Sequence, residues 1–240
     1  MKILNLIVMT LFVVAANAQN IPSDSKAYTN ANTKNAGVTF QIGYTAGVHD
    51  GAVSAVDSRV VLDSKNQILS GDFTININDM STGNKNRDCH MREALGIDYT
   101  NSKFPNEHVC DSNDQTPATG PDSIAFPEIR FQFSSVKMNS KSILPEVMEA
   151  GKVYNLAIQG KLTVHGKTKD FTAADSTEFI PVQVKLLDVN TGEIQLVSKF
   201  DVVLKDFGVT VKPFKLGPIA LINVADKAKV SLNMKLVQKK

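Results

Sequence analysis

The stretch GDFTININ, residues 71–78, alternates without a break: Phe73, Ile75 and Ile77 fall on one side of an extended chain, and Asp72, Thr74, Asn76 and Asn78 on the other. A period of two with one apolar and one polar face is the pattern of a half-buried β-strand. The same reading extends in both directions. VTFQIGY (38–44) and SRVVLD (58–63) precede it. EIRFQFSSVKM (128–138), VYNLAIQGKLTVHG (153–166), KDFTAADSTEF (169–179), VQVKLLDV (182–189), IQLVSKFDVVL (194–204) and KVSLNMKLVQ (229–238) follow it. Most are separated by Gly, Asn, Asp or Pro, residues that punctuate turns.

Only two stretches read as helical. In DCHMREALG (88–96) Asp88 is expected to cap the first turn, Met91 and Leu95 stand at i and i+4, and Gly96 is expected to end the helix in the left-handed conformation. ILPEVMEAG (143–151) is a weaker second. The pattern predicts an antiparallel all-β fold with one or two short helices, closed into a barrel or a sandwich because closure removes the edges an open sheet would expose. Residues 19–36, rich in Asn, Ser and Thr, have little to bury and read as a flexible lead-in to a domain spanning 37–240. CDSNDQTPATGPDS (110–123) reads as a surface loop, and His49-Asp50-Gly51 as a turn.

The chain opens MKILNLIVMTLFVVAANAQN: a lysine, an apolar run and a small-x-small pattern at Ala16-Asn17-Ala18. This is the form of a cleavable signal peptide over residues 1–18, so a periplasmic location is expected. No later stretch approaches the ~20 apolar residues of a membrane-spanning helix, so any contact with a membrane is expected to be transient. The formal net charge is +2 and the lysines are scattered, which argues against nucleic acid as a partner. Dimerisation through an exposed strand is compatible with the pattern but not required by it.

One face of the strands collects Phe73, Ile75, Phe131, Phe133, Leu156, Ile158, Leu162, Phe200 and Val202. In a barrel of about eight strands such a face either fills the interior, giving a ligand-free structural barrel, or lines a cavity for one apolar ligand. A register slip of one residue would turn the whole set outward.

No Gly-x-Ser-x-Gly elbow, HExxH pair or phosphate loop is present, so neither an enzyme nor a cofactor is expected. RDCHMREALG (87–96) and HVC (108–110) bring together residue types that suit a soft metal: Cys89, His90, Met91, His108 and Cys110. A periplasmic metal- or redox-handling protein is therefore the alternative reading. Against it, neighbouring helical side chains diverge by about 100°. Attachment of c-type haem needs Cys-x-x-Cys-His, which is missing. Two cysteines in an oxidising compartment are expected to pair, and a Cys89–Cys110 disulfide would close a loop of about twenty residues worth roughly 3 kcal/mol.

Several segments in the right order resemble the YceI-like family. GVTFQIGYTAGVHDGAVSAVDSRVVLD resembles its opening strands, and INDMSTGNKNRDCHMREALGIDYTNSKFP its Arg-Asp-x-His-hydrophobic-Arg segment with a short helix running to Phe-Pro. FPEIRFQFSSVK fits the next strand, GKLTVHGKTKDFT the Leu-Thr-hydrophobic-His-Gly hairpin, and LKDFGV the Asp-Phe-Gly near the last strands. The similarity spans about residues 37 to 238. It departs from the family at Cys89 and Cys110, at the doubled Phe-Pro element, and at Lys205, where Arg is frequent. The resemblance implies an antiparallel lipocalin-like β-barrel of about eight strands, whose elongated apolar cavity accepts an isoprenoid chain or another long-chain lipid, with no cofactor. His90 then corresponds to the family's own histidine, a hydrogen-bonding residue or a head-group contact at the mouth. Arg87 and Arg92 are the other two head-group candidates.

Overall fold

The strand predicted at GDFTININ forms as β5 (Ile68–Asn76), and its neighbours follow the same alternation. The fold comes from a computed structural model that describes residues 23–31, 36–64, 68–97, 124–137, 147–171, 180–209, 214–216 and 220–239. Before β5 come β1 (Lys26–Asn30), β2 (Val38–Tyr44), β3 (Gly47–Val53) and β4 (Asp57–Leu62). After it come β6 (Met80–Ser81), helix α1 (Lys85–Gly96), β7 (Glu128–Lys137), β8 (Val153–Val164) and β9 (Lys167–Phe171). The chain continues with β10 (Ile180–Asp188), β11 (Glu193–Val203), the short pair β12 (Phe214–Leu216) and β13 (Ala220–Ile222), and β14 (Val224–Gln238).

Eight strands close a ring in the order β1-β4-β5-β7-β8-β10-β11-β14, and β14 returns to β1. Every pairing in the ring is antiparallel. Of the two closures the alternation allows, the barrel is the one that forms, with the eight strands the resemblance implies. Among the described residues it carries a single α-helix and two short 3-10 turns, at Ile77–Asp79 and Leu204–Phe207.

The free edge of β14 is shared by two partners, and this shapes the interior. Its C-terminal part pairs with β1, Asn30 against Leu236 and Tyr28 against Gln238. Its N-terminal part pairs with β2, Leu232 against Val38 through to Val224 against Tyr44, with a register shift between Val224 and Ala228. The ring is thus closed by β1 at one end only. At the other end β2, β3 and β6 continue the sheet beyond β14.

Three expectations are corrected here. Residues 26–30 are a strand and not part of a lead-in: Tyr28 points inward with 4% of its surface exposed, and β1 completes the ring. A five-residue polar strand with one inward aromatic has too short a period to register against its Asn- and Ser-rich surroundings. Residues 49–51 are not a turn. They lie inside β3, paired with β2, and the reversal comes at residues 45–46. In the weaker helix candidate only 147–151 lie among the described residues; they are not helical, and Ala150 makes a bridge to Leu186. The signal-peptide stretch 1–18 and the loop 110–123 fall outside the described residues.

Helix α1 starts earlier than expected. Asn84 is its cap, its Oδ1 accepting from the Arg87 N–H at 3.0 Å, and Asp88 sits one turn inside. Gly96 remains helical, so its role is not a left-handed stop: a Cβ there would meet Ile77 Cδ1 at 2.6 Å. The glycine lets the helix press against the buried Ile77.

Candidate functional site

Inside the ring the inward residues separate into two zones. At the end closed by β1, Val60, Leu62, Val184, Ile194, Met234 and Leu236 are all at most 1% exposed and fill the space between the strands. Toward the other end a cavity of about 560 Å³ opens, within the ~300–1,000 Å³ usual for small-molecule sites.

Its walls follow the period of two. From β11 come Leu196, Ser198, Phe200 and Val202; from β14 Ala228, Val230 and Leu232; from β10 Ile180 and Val182. Of the nine positions predicted for a cavity wall, Phe73, Ile75, Phe131, Ile158, Leu162, Phe200 and Val202 line this space. Phe133 and Leu156 do not: both are buried behind or below it, at 4% and 5% exposure. Phe133 backs the wall instead. Its ring centroid is 6.3 Å from that of Phe73 and 6.0 Å from that of Phe131, in the range where aromatic faces attract. The Phe133 ring also lies over Gly71, where any Cβ would collide with it.

Helix α1 supplies the wall at the open end. Its two ends are tethered to different turns of the barrel. At the first turn, Arg87 Nη1 donates to His49 Nδ1 on β3 at 3.1 Å. At the last turn, His165 Nδ1 donates to the Leu95 carbonyl at 2.9 Å from the β8–β9 connection, where His165 has a positive φ of 51°. The backbone N–H groups of Ala125 and Phe126 close the helix by donating to the Gly96 carbonyl at 2.8 and 3.0 Å.

The buried Asp88 fastens the same helix to the preceding segment. It accepts from Ser81 Oγ at 2.7 Å and from the Thr82 N–H and Thr82 Oγ1, each at 2.6 Å. Burial alone pushes its carboxyl up, but these three bonds and the nearby Arg92 charge outweigh that and hold it below the ordinary carboxylate value.

The wall's polar groups gather at this end. Tyr44 and His49 come from β2 and β3, while Thr82, Asn84, Asn86 and Arg87 surround the start of α1 and His90 and Glu93 stand one turn further on. Elsewhere only Ser198 is polar, and its hydroxyl donates to the Pro181 carbonyl at 2.5 Å. Tyr44 and His49 stack with centroids 4.0 Å apart and planes 10° from parallel. Burial and the Arg87 charge lower the His49 pKa, partly offset by Asp50. His90 Nδ1 lies 3.2 Å from Glu93 Oε2, whose side chain is 2% exposed.

Of the three predicted head-group residues, Arg87 and His90 line the cavity and Arg92 does not. Arg92 Nη2 donates instead to the carbonyls of Asn78 and Met80, at 3.4 and 3.3 Å. Sequence reasoning missed Tyr44 and His49. The signal for them was the apolar alternation of VTFQIGY carried past the turn into β3.

The cluster Cys89-His90-Met91 does not converge. Cys89 is completely buried and is not a free thiol, His90 is bonded to Glu93, and Met91 lies on the cavity wall. Among the described residues no three His, Cys, Asp or Glu side chains are grouped to hold a metal ion, and His108 and Cys110 lie outside them. Among the described residues, too, no helix is long and apolar enough to cross a membrane.

Comparison with known proteins places this architecture. Residues 118–236 match the family model of the YceI-like domain. A polyisoprenoid binding domain from Saccharophagus degradans, implicated in plant cell wall breakdown, superposes with a TM-score of 0.57 at 11% identity, over 88% of this chain and 98% of that one. BcnA of Burkholderia cenocepacia superposes with a TM-score of 0.51 at 18% identity, over 90% and 96%. At these identities the likeness is one of fold. No curated protein matches the sequence.

Proposed function

From the premise that this chain is YceI-like, with the domain matched over residues 118–236, we propose that the barrel binds a long apolar ligand of the isoprenoid class in its open half, without chemically altering it. The observation that carries this reading is the coexistence of a filled and a hollow zone in one continuous barrel. A protein needing only a stable core would fill both, because unfilled apolar space forfeits dispersion contacts. The binding property of the Saccharophagus degradans domain points the same way.

Phe73, Ile75, Phe131, Ile158, Leu162, Phe200 and Val202 supply shape and desolvation in this reading. Burying a chain contributes about 0.8 kcal/mol per CH₂, so affinity grows with length and few polar contacts are needed. The reading includes export to the periplasm through residues 1–18. It also includes a Cys89–Cys110 disulfide, supported by the buried Cys89 that is not a free thiol, which would pin α1 where it walls the cavity.

The test is native mass spectrometry of the full chain purified after export, followed by addition of geranylgeraniol to stripped protein. The expected result is a co-purifying long-chain species and uptake of one geranylgeraniol per chain. Protein that releases nothing on organic extraction and takes up no geranylgeraniol would sink the reading.

A further inference from the structure

The hollow half of the barrel has a floor. Met234 on β14, Ile194 on β11, Val184 on β10, Leu156 on β8 and Phe133 on β7 each stand two residues below the last side chain that lines the cavity, and none is more than 5% exposed. From β11 to β10, and again from β10 to β8, this boundary steps two residues toward the open end. Strand tilt gives that stagger to one level across a barrel, so these side chains close the space as a single layer. Phe133 holds one side of the layer with little help. Its cross-strand partners are Gly71 and Gly160, which have no side chains to share the space, and its ring fills the place a side chain on Gly71 would take.

We propose that this floor measures the ligand: the cavity selects isoprenoid chains of about four units, and Phe133 is the residue that sets the limit. The proposal rests on the reading that the hollow half of the barrel takes such a chain. On β11 the lining runs from Leu196 to Leu204, and those eight steps of about 3.3 Å, tilted by about 40°, give roughly 20 Å along the axis. An extended chain of single bonds advances by about 1.2 Å per bond, so the four main-chain bonds of one isoprene unit take about 5 Å. Four units therefore reach from mouth to floor. Added carbons stabilise the complex only while they leave water. A fifth unit meets the packed layer and stays outside, whereas a chain of three leaves part of the apolar wall uncovered.

Competition between prenols of three, four and five units, read by native mass spectrometry of the full chain, tests this. Wild type is expected to prefer geranylgeraniol over farnesol by about tenfold or more, because the extra unit is buried. Geranylfarnesol, with one unit more, is expected to gain no more than about twofold over geranylgeraniol. Phe133→Ala lowers the floor beside Gly71 and should restore a gain of about tenfold for the fifth unit. Leu232→Phe raises the floor and should bring farnesol level with geranylgeraniol. A wild type that gains as much from the fifth unit as from the fourth overturns the proposal while the chain-binding reading stands. So does a folded Phe133→Ala that keeps the wild-type ratios. Where Phe133→Ala does not fold, Leu232→Phe decides alone, and unchanged ratios there overturn the proposal. If no prenol of any length binds, the barrel reading itself fails.

Discussion

Two ends of one strand differ in what they face. On β14, Ala228, Val230 and Leu232 border empty space, whereas Met234 and Leu236, on the same side two and four residues further, are sealed into solid packing. Side-chain size alone does not separate the zones, because the hollow one also carries the large rings of Phe73, Phe131 and Phe200 and the packed one the smaller Val60 and Val184. What changes is the neighbour across the ladder: β2 runs beside the first group as far as Leu232, and β1 takes the edge from Leu236 onward. Where β1 completes the ring the interior is tight enough for side chains to fill it. Where β2 takes the edge and leads the sheet outward, the interior stays wide. Hollowness here belongs to strand connectivity and not to the composition of the wall.

The sharpest way to break this comparison is to truncate at the packed end. Leu236→Ala removes a side chain with no exposed surface, and the loss of transfer energy plus the residual cavity is expected to cost about 2–5 kcal/mol. The matching truncation Leu232→Ala, on the open side, is expected to cost well under half as much. Urea denaturation of both variants decides it, and equal losses would mean that the two zones are energetically one core.

A second, smaller effect comes from adding volume. Val184→Phe in the packed zone is expected to cost about 1–3 kcal/mol through overpacking. Val230→Phe has open space to enter, so its denaturation midpoint should stay near wild type while geranylgeraniol uptake falls. A Val230→Phe variant that is destabilised as much as Val184→Phe would show that the hollow half is not free volume.

The smallest effect concerns the polar end, and it depends on pH. Because the Asp88 pKa is lowered in the folded state, its contribution to stability is present above its unfolded value of about 3.9 and disappears as pH falls through the lower folded value. Asp88→Asn is therefore expected to be less stable than wild type by about 1 kcal/mol near neutrality, with the gap closing below about pH 4. A gap unchanged from pH 7 to pH 3 would remove the carboxylate's charge from the account.

Much of this was legible from alternation. Strands β2, β4, β5, β7, β8, β10 and β11 lie within a few residues of their sequence reading, and the inward face was assigned to the correct parity. Period two identifies a face but not a depth along it. Leu156 and Ile158 are therefore indistinguishable in sequence, although only Ile158 reaches the cavity. Phe133 shares that parity and became the backing for two lining rings because Gly71 opposite leaves room for it.

The elements that escaped were short or polar. β1 has only Tyr28 to signal an interior, and in β3 the run His49-Asp50-Gly51 has the composition of a turn while being held straight by its ladder to β2. Gly96 was assigned to the right helix for the wrong reason. A glycine near a helix end suggests a reversal, but the constraint is Ile77, which is distant in the pattern and adjacent only in space.

The seam between β1 and β14 joins positions about 200 residues apart, Tyr28 to Gln238. β1 can pair with β4 early in synthesis, but its other edge must wait for β14 before those hydrogen bonds can form. Until then the nascent sheet has two raw margins, so the interval before closure is when aggregation threatens and escort by a chaperone would matter most.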